Sequence, residues 1–307
     1  MTGGGARAHA TPTGHLRPHH LLIGGRRVLL LEGPSGWGEC SPLEGYPCSP
    51  SAALAAATEA AAGSWPTPVR HEVPVNALVT GSPFDPGSLE GFSCVKVKVG
   101  RADAAEDLAL VSAVRDAVGP SVALRVDANG VWDEDTARSM LLRLAAFDIE
   151  LAEQPVGTIE SMSRLRRRVG VPLAADECVR TIDDARQLHR LDAADAIVLK
   201  VQPLGGIGQA LRVAQAAGVP AVVTTMMETS VGIAMALHLA ASLPELQFAC
   251  GLATAGALGH DVTREPLLAT EGQMGLRRVT PDPALLAALA DPSPLPYPSP
   301  LSYEASP

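Results

Sequence analysis

The 307-residue chain is 47% hydrophobic and 19% charged, with a formal net charge of −9. This composition describes a globular protein with a substantial core and argues against nucleic acid as its main partner. No apolar run reaches the ~18 residues of a membrane span, and no signal-peptide core follows the N-terminus, so a cytoplasmic protein without a membrane partner is expected. The five cysteines, Cys40, Cys48, Cys94, Cys178 and Cys250, are scattered without a C-x-x-C pair and read as free thiols.

In chain order, residues 1–14 (MTGGGARAHATPTG) read as flexible. The adjacent His19 and His20 have no further ligands nearby, so a metal site is not expected there. The stretch 27-RVLLLEGPSGWGECSPL-43 predicts a hairpin that turns at Gly, Pro and Ser, and an Ala-rich helix follows from Ser51. Residues 1–72 thus form a small α+β domain.

From residue 73 the pattern becomes a rhythm of short strands and helices. Strands are predicted at 73–79, 94–99, 122–128, 150–154, 171–176, 196–201, 220–225 and 247–253, with helical patterns between them such as 104–119, 135–147 and 208–218. Asp133 or Asp135 can cap the second of these helices, and Gly218 followed by Pro220 can end the third. Eight strands joined mostly by helices imply parallel pairing with right-handed crossovers. They suit a (β/α)8-type, TIM-like barrel over residues 73–285, whose chemistry sits at the C-terminal ends of its strands. An open doubly wound sheet is the competitor, but no phosphate-binding glycine loop follows the first strand. The glycines of 204-LGGIGQ-209 suit a tight turn better than an anion site. The basic run 164-RLRRRVG-170 reads as a solvated helix face. Residues 286–307 form a Pro-rich C-terminal tail, expected to be extended or disordered from residue 291.

Polar residues gather at the strand ends. Asp127 and Asn129 end the third strand, Glu153 the fourth and Asp176 the fifth. Neighbouring strands lie ~4.8 Å apart, so these carboxylates can converge on one point. An all-oxygen set without His or Cys selects a hard cation, Mg2+ or in its place Mn2+. Each acidic residue alone is also a plausible helix N-cap; three on consecutive strands favour the metal. Of 24 Lys plus Arg, only Lys96, Lys98 and Lys200 are lysines. Lys96 and Lys98 share one strand face, and Lys200 lies on the sixth strand, opposite the second in an eight-membered ring. Snorkelling lysines are the alternative, although Val95, Val97, Leu199 and Val201 make both strands look buried.

The succession K-x-K, D-A-N-G, E-Q-P, A-D-E and L-K-V-Q-P on consecutive strands resembles the enolase superfamily, in its muconate-lactonising subgroup. The resemblance covers nearly the whole chain, with residues 1–72 as a reduced N-terminal capping domain and residues 73–285 as the modified enolase barrel. G-W-G-E-C-S-P-L, K-V-Q-P-L-G-G, E-T-S-V-G and A-C-G-L-A-T are most similar to the actinobacterial o-succinylbenzoate synthases. The resemblance implies metal ligands at Asp127, Glu153 and Asp176, paired catalytic lysines at Lys98 and Lys200, and supporting roles for Lys96 and Asn129. It implies dehydration of 2-succinyl-6-hydroxy-2,4-cyclohexadiene-1-carboxylate in menaquinone biosynthesis, so the partner is a small-molecule carboxylate. N-succinylamino acid racemase or dipeptide epimerase is the alternative, and a non-catalytic metal-binding barrel a remote one. Met226 and Met227 stand where relatives often show small polar residues.

Removing a proton α to a carboxylate creates an enediolate, which a divalent cation stabilises. A lysine at its usual pKa of ~10.4 is protonated near neutral pH and is a poor base. Burial beside Lys96 and the metal is expected to bring Lys98 to about 7–8, where a general base works best. The chain before residue 73 is expected to cover the barrel mouth on the side of Lys98 and Lys200.

Overall fold

The computed structural model describes residues 16–291 and 293. The stretch 1–14, and the tail from residue 294, lie outside the described residues.

The chain begins with three antiparallel strands, β1 (Arg17–Ile23), β2 (Arg26–Gly33) and β3 (Gly36–Cys40). Gly24 and Gly25, both at positive φ (55° and 80°), make the two-residue turn between β1 and β2. The expected hairpin is β2–β3; β1 is an additional strand, disguised in the sequence by Pro18 and the two histidines. Helix α1 (Pro50–Ala62) starts where the Ser49 side chain caps the Ala52 N–H. Its alanines Ala53, Ala57 and Ala61 pack with Leu29, Leu31 and Cys40 in a core separate from that of the barrel. A Cβ at position 38 would stand 2.0 Å from the Ala57 carbonyl oxygen, so helix and sheet approach this closely only over glycine.

The expected strand 73–79 is split. Its first part, β4 (Glu72–Pro74), pairs outside the barrel, and its second, β5 (Ala77–Val79), enters it. The barrel continues through β6 (Cys94–Lys98), α2 (Ala104–Val118), β7 (Ala123–Asp127), α3 (Glu134–Leu144), β8 (Ile149–Glu153) and α4 (Ile159–Arg166). It is completed by β9 (Leu173–Ala175), α5 (Ile182–Leu191), β10 (Ala196–Leu199), α6 (Val201–Leu204), α7 (Ile207–Ala217), β11 (Ala221–Val223) and α8 (Ser230–Ser242). The final elements are β12 (Gln273–Gly275), the antiparallel partner of β4, and α9 (Pro283–Ala288).

Strands β5 to β11 form one parallel sheet in chain order. The expected eighth strand is reduced to two parallel bridges, Cys250 to Val75 and Gly251 to Thr224. The Cys250 N–H donates to the Pro74 carbonyl (2.7 Å) and the Gly251 N–H to that of Val223 (2.9 Å), so this short piece joins the two sheet edges. Asp133 caps α3, and Gly218, left-handed at φ 63°, ends α7.

The tail expected from residue 286 starts inside α9. After it, Leu22 N–H donates to Leu289 O (2.9 Å) and Asp291 N–H to His20 O (2.8 Å), so the chain runs along β1. Two carboxylates from the N-terminal region reach the starts of barrel helices. Glu59 accepts from Gly208 N–H (3.0 Å) at α7, and Glu39 accepts from the Gly232 N–H (3.0 Å) and Thr229 N–H (3.2 Å) at α8. The glycine turn before α7 is thus already occupied by Glu59. Among the described residues, no helix is long and apolar enough to cross a membrane.

Candidate active site

The polar strand ends meet at one end of the barrel. In register, Lys98 stands opposite Asp127 and Asp127 opposite Glu153, so three neighbouring strands deliver their last side chains at one height. Asp176 follows β9 directly and Lys200 follows β10. None of the three acids serves as a helix cap, since α3, α4 and α5 are capped by Asp133, Thr158 and Thr181. Lys96 and Lys200 are 8% and 7% exposed, which leaves no room for snorkelling.

The Lys96 ammonium donates to Asp127 Oδ2 and to both Glu153 oxygens, each at 3.0 Å. Lys98 Nζ lies 2.5 Å from the same Asp127 oxygen and 2.8 Å from Asn129 Oδ1. Lys200 donates to Asp176 Oδ2. The sequence-predicted residues therefore gather at one barrel end in two bonded groups, with Lys96, Lys98, Asp127, Asn129 and Glu153 in one and Asp176 and Lys200 in the other.

Two non-glycine residues at positive φ follow the acids closely: Asn129 (47°) and Gln154 (38°). Their turns fold the chain back over the strand ends. The Asn129 N–H bonds Asp127 Oδ1 at 3.0 Å, and Gln154 Oε1 takes the Asp176 N–H at 2.7 Å. Backbone strain here positions the carboxylates.

The electrostatics follow from crowding charge into a buried space. Burial pushes the Glu153 carboxyl up, and the neighbouring Asp127 charge adds to this, to about 8 despite Lys96. Burial opposes ionisation of Asp127 as well, but the Lys96 and Lys98 ammoniums outweigh it and hold that carboxyl well below the usual range. Lys96 and Lys200 are likewise buried, yet Glu153 and Asp127 raise the first and Asp176 and Glu153 the second.

Two contributors escaped the sequence analysis. Tyr46, from the loop after β3, donates to Asp176 Oδ1 (2.6 Å), accepts from Lys200 Nζ (3.2 Å), and lays its ring 4.4 Å from that ammonium. No periodicity marks a loop residue of this kind. Glu177 accepts from Asn129 Nδ2 at 2.8 Å, while its other oxygen is buried without a hydrogen-bond partner. Its only signal was its place beside Asp176. Above the network a cavity of about 700 Å3 opens, walled by Leu43, Tyr46, Asn76, Thr224, Met226 and Met227. Arg26 of β2 donates to Met226 O (3.0 Å), Met227 O and Ser41 O (2.6 Å), which ties the N-terminal region to this rim. The N-terminal domain therefore lies over the barrel end from which Lys98 and Lys200 emerge.

The donor set suits a hard divalent cation. Its groups are all carboxylates on adjacent strands, the middle one is driven towards its neutral form by burial and by the neighbouring Asp127 charge, and Glu177 carries an unpaired buried oxygen beside them. In this arrangement the positive charge among them comes from the lysines. Among the described residues, no three acidic, His or Cys side chains are drawn together tightly enough to form a ready coordination cluster.

The chain matches the enolase C-terminal domain-like model over residues 88–281 and the enolase N-terminal domain-like model over residues 22–61. Muconate cycloisomerase from Pseudomonas fluorescens superposes with a TM-score of 0.77 at 24% identity, over 90% of this chain and 97% of that one. Muconate lactonizing enzyme from Pseudomonas putida gives 0.79 at 22% identity, over 90% and 99%. At that identity they speak for the fold alone. The o-succinylbenzoate synthase of Thermobifida fusca is 46% identical over 91% of this chain and 88% of its own. That of Mycolicibacterium smegmatis is 42% identical over 88% and 85%. The chain belongs to the enolase superfamily, among its o-succinylbenzoate synthases.

Proposed function

We propose that the barrel mouth dehydrates 2-succinyl-6-hydroxy-2,4-cyclohexadiene-1-carboxylate to o-succinylbenzoate, a step of menaquinone biosynthesis. The observation that carries this reading is the pair Lys98 and Lys200 on opposite sides of one carboxylate row, in a chain 42–46% identical to proteins of that name.

Asp127, Glu153 and Asp176 are the residues that would hold Mg2+, or Mn2+ in its place. When bound, the ion supplies Lewis-acid stabilisation for the charge that develops on the substrate carboxylate. Lys98, in its neutral form, removes the proton α to that carboxylate, and the C–H electron pair enters an enediolate. The hydroxyl on the adjacent ring carbon then departs with its bonding pair, takes the proton from Lys98 and leaves as water, so the ring becomes aromatic. Lys200 stays protonated, since Asp176 and Glu153 favour its charged form, and it faces the developing negative charge from the other side. Lys96 likewise stays cationic between Asp127 and Glu153. Asn129 fixes the direction of the Lys98 amine. Tyr46 and the loop that carries it exclude water.

The two flanking amines also fit a two-base racemase, in which each lysine exchanges a proton on its own face of the carbanion. Turnover of the cyclohexadiene substrate, followed by the absorbance of the aromatic product beside α-proton exchange of N-succinylamino acids in D2O, separates the two. Rapid exchange without dehydration would replace the dehydratase by the racemase.

A further inference from the structure

The turn that follows Lys98 is built around a buried ion pair. Asp107, in the first turn of α2, is fully buried, and its Oδ2 accepts the Gly100 N–H (2.7 Å) and the Arg101 N–H (3.0 Å). Its Oδ1 lies 2.5 Å from Arg101 Nη1. Gly100, at φ 97°, supplies the left-handed bend that lets the chain close on this carboxylate. A buried carboxylate is tolerated when it is paired and hydrogen-bonded, and here one arginine and its own turn supply all the bonds.

The pair leaves the Arg101 guanidinium aimed at two strand ends. Parallel pairing of β5 with β6 stops at Val79 and Val97. One residue further along each strand, Arg101 Nη2 donates to the Thr80 carbonyl (2.8 Å) and Nη1 to the Lys98 carbonyl (2.9 Å). A single side chain thus takes the place of the next rung and holds both strands where they reach the cavity. Lys98 and Thr80 wall that cavity, and Arg101 does not.

The proposed base hangs from this rung. Its amine sits at the end of a four-carbon stem, so a small tilt of the Lys98 peptide becomes a shift of about 1 Å at the nitrogen, and such a misplacement can cost ~100-fold in rate. Asp127 and Asn129 hold the amine itself, and Arg101 fixes the backbone that carries it. Asp107 balances the Arg101 charge, so the arginine acts through geometry and not through its field. We propose that Arg101 is a positioning residue that aims Lys98 at the α-proton of the substrate. This inference rests on the dehydration proposed above, with Lys98 as its base.

Arg115, at the other end of α2, provides the comparison. It clamps the carbonyls of Gly119 (2.7 Å), Val122 (2.7 Å) and Phe147 (3.0 Å) in the same manner. Val122 and Phe147 precede β7 and β8, so this clamp holds the barrel end away from the lysines.

The test sets one arginine against the other. Arg101→Met combined with Asp107→Asn removes the clasp without leaving a buried charge. Arg101→Lys keeps the charge beside Asp107 and offers one amine in place of the fork. Arg115→Met removes the matching clamp, and thermal unfolding reports the fold of every variant. The double variant is expected to lower kcat roughly 10- to 100-fold, while KM and the affinity for o-succinylbenzoate by calorimetry change less than about threefold. With substrate deuterated at the α-carbon, its isotope effect on kcat should exceed that of the wild type, because proton removal has become slower. Arg101→Lys should recover part of the rate, and Arg115→Met should lose stability with kcat within about twofold of wild type. If the double variant does not fold, Arg101→Lys alone must still show the lowered kcat and the raised isotope effect. Wild-type kcat and isotope effect in the Arg101 variants, or equal falls in kcat in the Arg101 and Arg115 variants, would overturn the positioning role. Absence of cyclohexadiene turnover by the wild type would overturn the reaction itself and this role with it, so the two failures are distinct.

Discussion

Lys98 stands directly opposite Asp127 across the β6–β7 pair, and its amine lies 2.5 Å from the Asp127 carboxylate. One oxygen thereby touches both lysines of the K-x-K strand, because Lys96 reaches it from below at 3.0 Å. Base and proposed metal ligand are thus coupled through a single atom, and disturbing one changes the other.

The carboxylate row gives the first expectation. Activity should require Mg2+ or Mn2+, vanish in EDTA and return on adding the ion back. Glu153→Ala should bind the ion more weakly by calorimetry and should not be rescued by excess metal. Full wild-type turnover after exhaustive chelation would remove the metal from the mechanism.

Tyr46 gives the second. Tyr46→Phe keeps the ring over Lys200 and removes the hydroxyl bonded to Asp176, so it should lower kcat/KM by less than about tenfold, in line with one hydrogen bond. Tyr46→Ala also opens the cover and should raise KM further. Equal effects of both variants would show that the hydroxyl, and not the ring, matters.

A third expectation concerns stability against pH. Burial pushes the Glu228 carboxyl up to about 7, and the nearby Glu39 charge adds to it, while the Met226 N–H and Arg26 oppose it. The folded chain therefore keeps this proton between about pH 4.5 and 7 while the unfolded chain releases it. Stability from this group is fully present below the unfolded pKa and is lost as pH rises through about 7. Urea unfolding should lose on the order of 2–3 kcal/mol over that window, and Glu228→Gln, which stays neutral, should flatten the curve. An identical slope in wild type and variant would refute the assignment.

The joint between α1 and its sheet gives a fourth. Gly38→Ala drives a methyl into the Ala57 carbonyl, so the N-terminal domain should lose roughly 1–3 kcal/mol and loosen its cover over Tyr46. Raised proteolytic sensitivity within residues 41–49 is the observable sign.

The barrel and its row of charges were legible because both obey short rules. Parallel strands carry apolar residues along their length and polar ones at the C-terminal end, and alternation alone puts Lys96 and Lys98 on one face. Asp133 and Gly218 marked helix ends through local backbone chemistry. Other features had no local signal. Strand β1 is masked by Pro18-His19-His20 and is held by its register with β2. The eighth strand shrinks to two bridges because its neighbours, and not its own propensity, fix it. Tyr46 enters the site from a loop by way of tertiary docking, and the neutral Asn76 and Thr224 carry no charge pattern that draws attention. The joining carboxylates Glu39 and Glu59 look like ordinary surface acids until the domains meet.

Lys98→Arg, assayed for single-turnover dehydration and for α-proton exchange in D2O, tests most directly whether Lys98 is the base. Arginine keeps the positive charge and cannot lose a proton near neutral pH. The variant should fold, bind Mg2+ and lose roughly 10²–10⁴-fold in the dehydration rate, with exchange lost in step, as expected for a positioned acid–base group. Turnover close to wild type would mean that position 98 supplies only a fixed charge, and would contradict its role as the base.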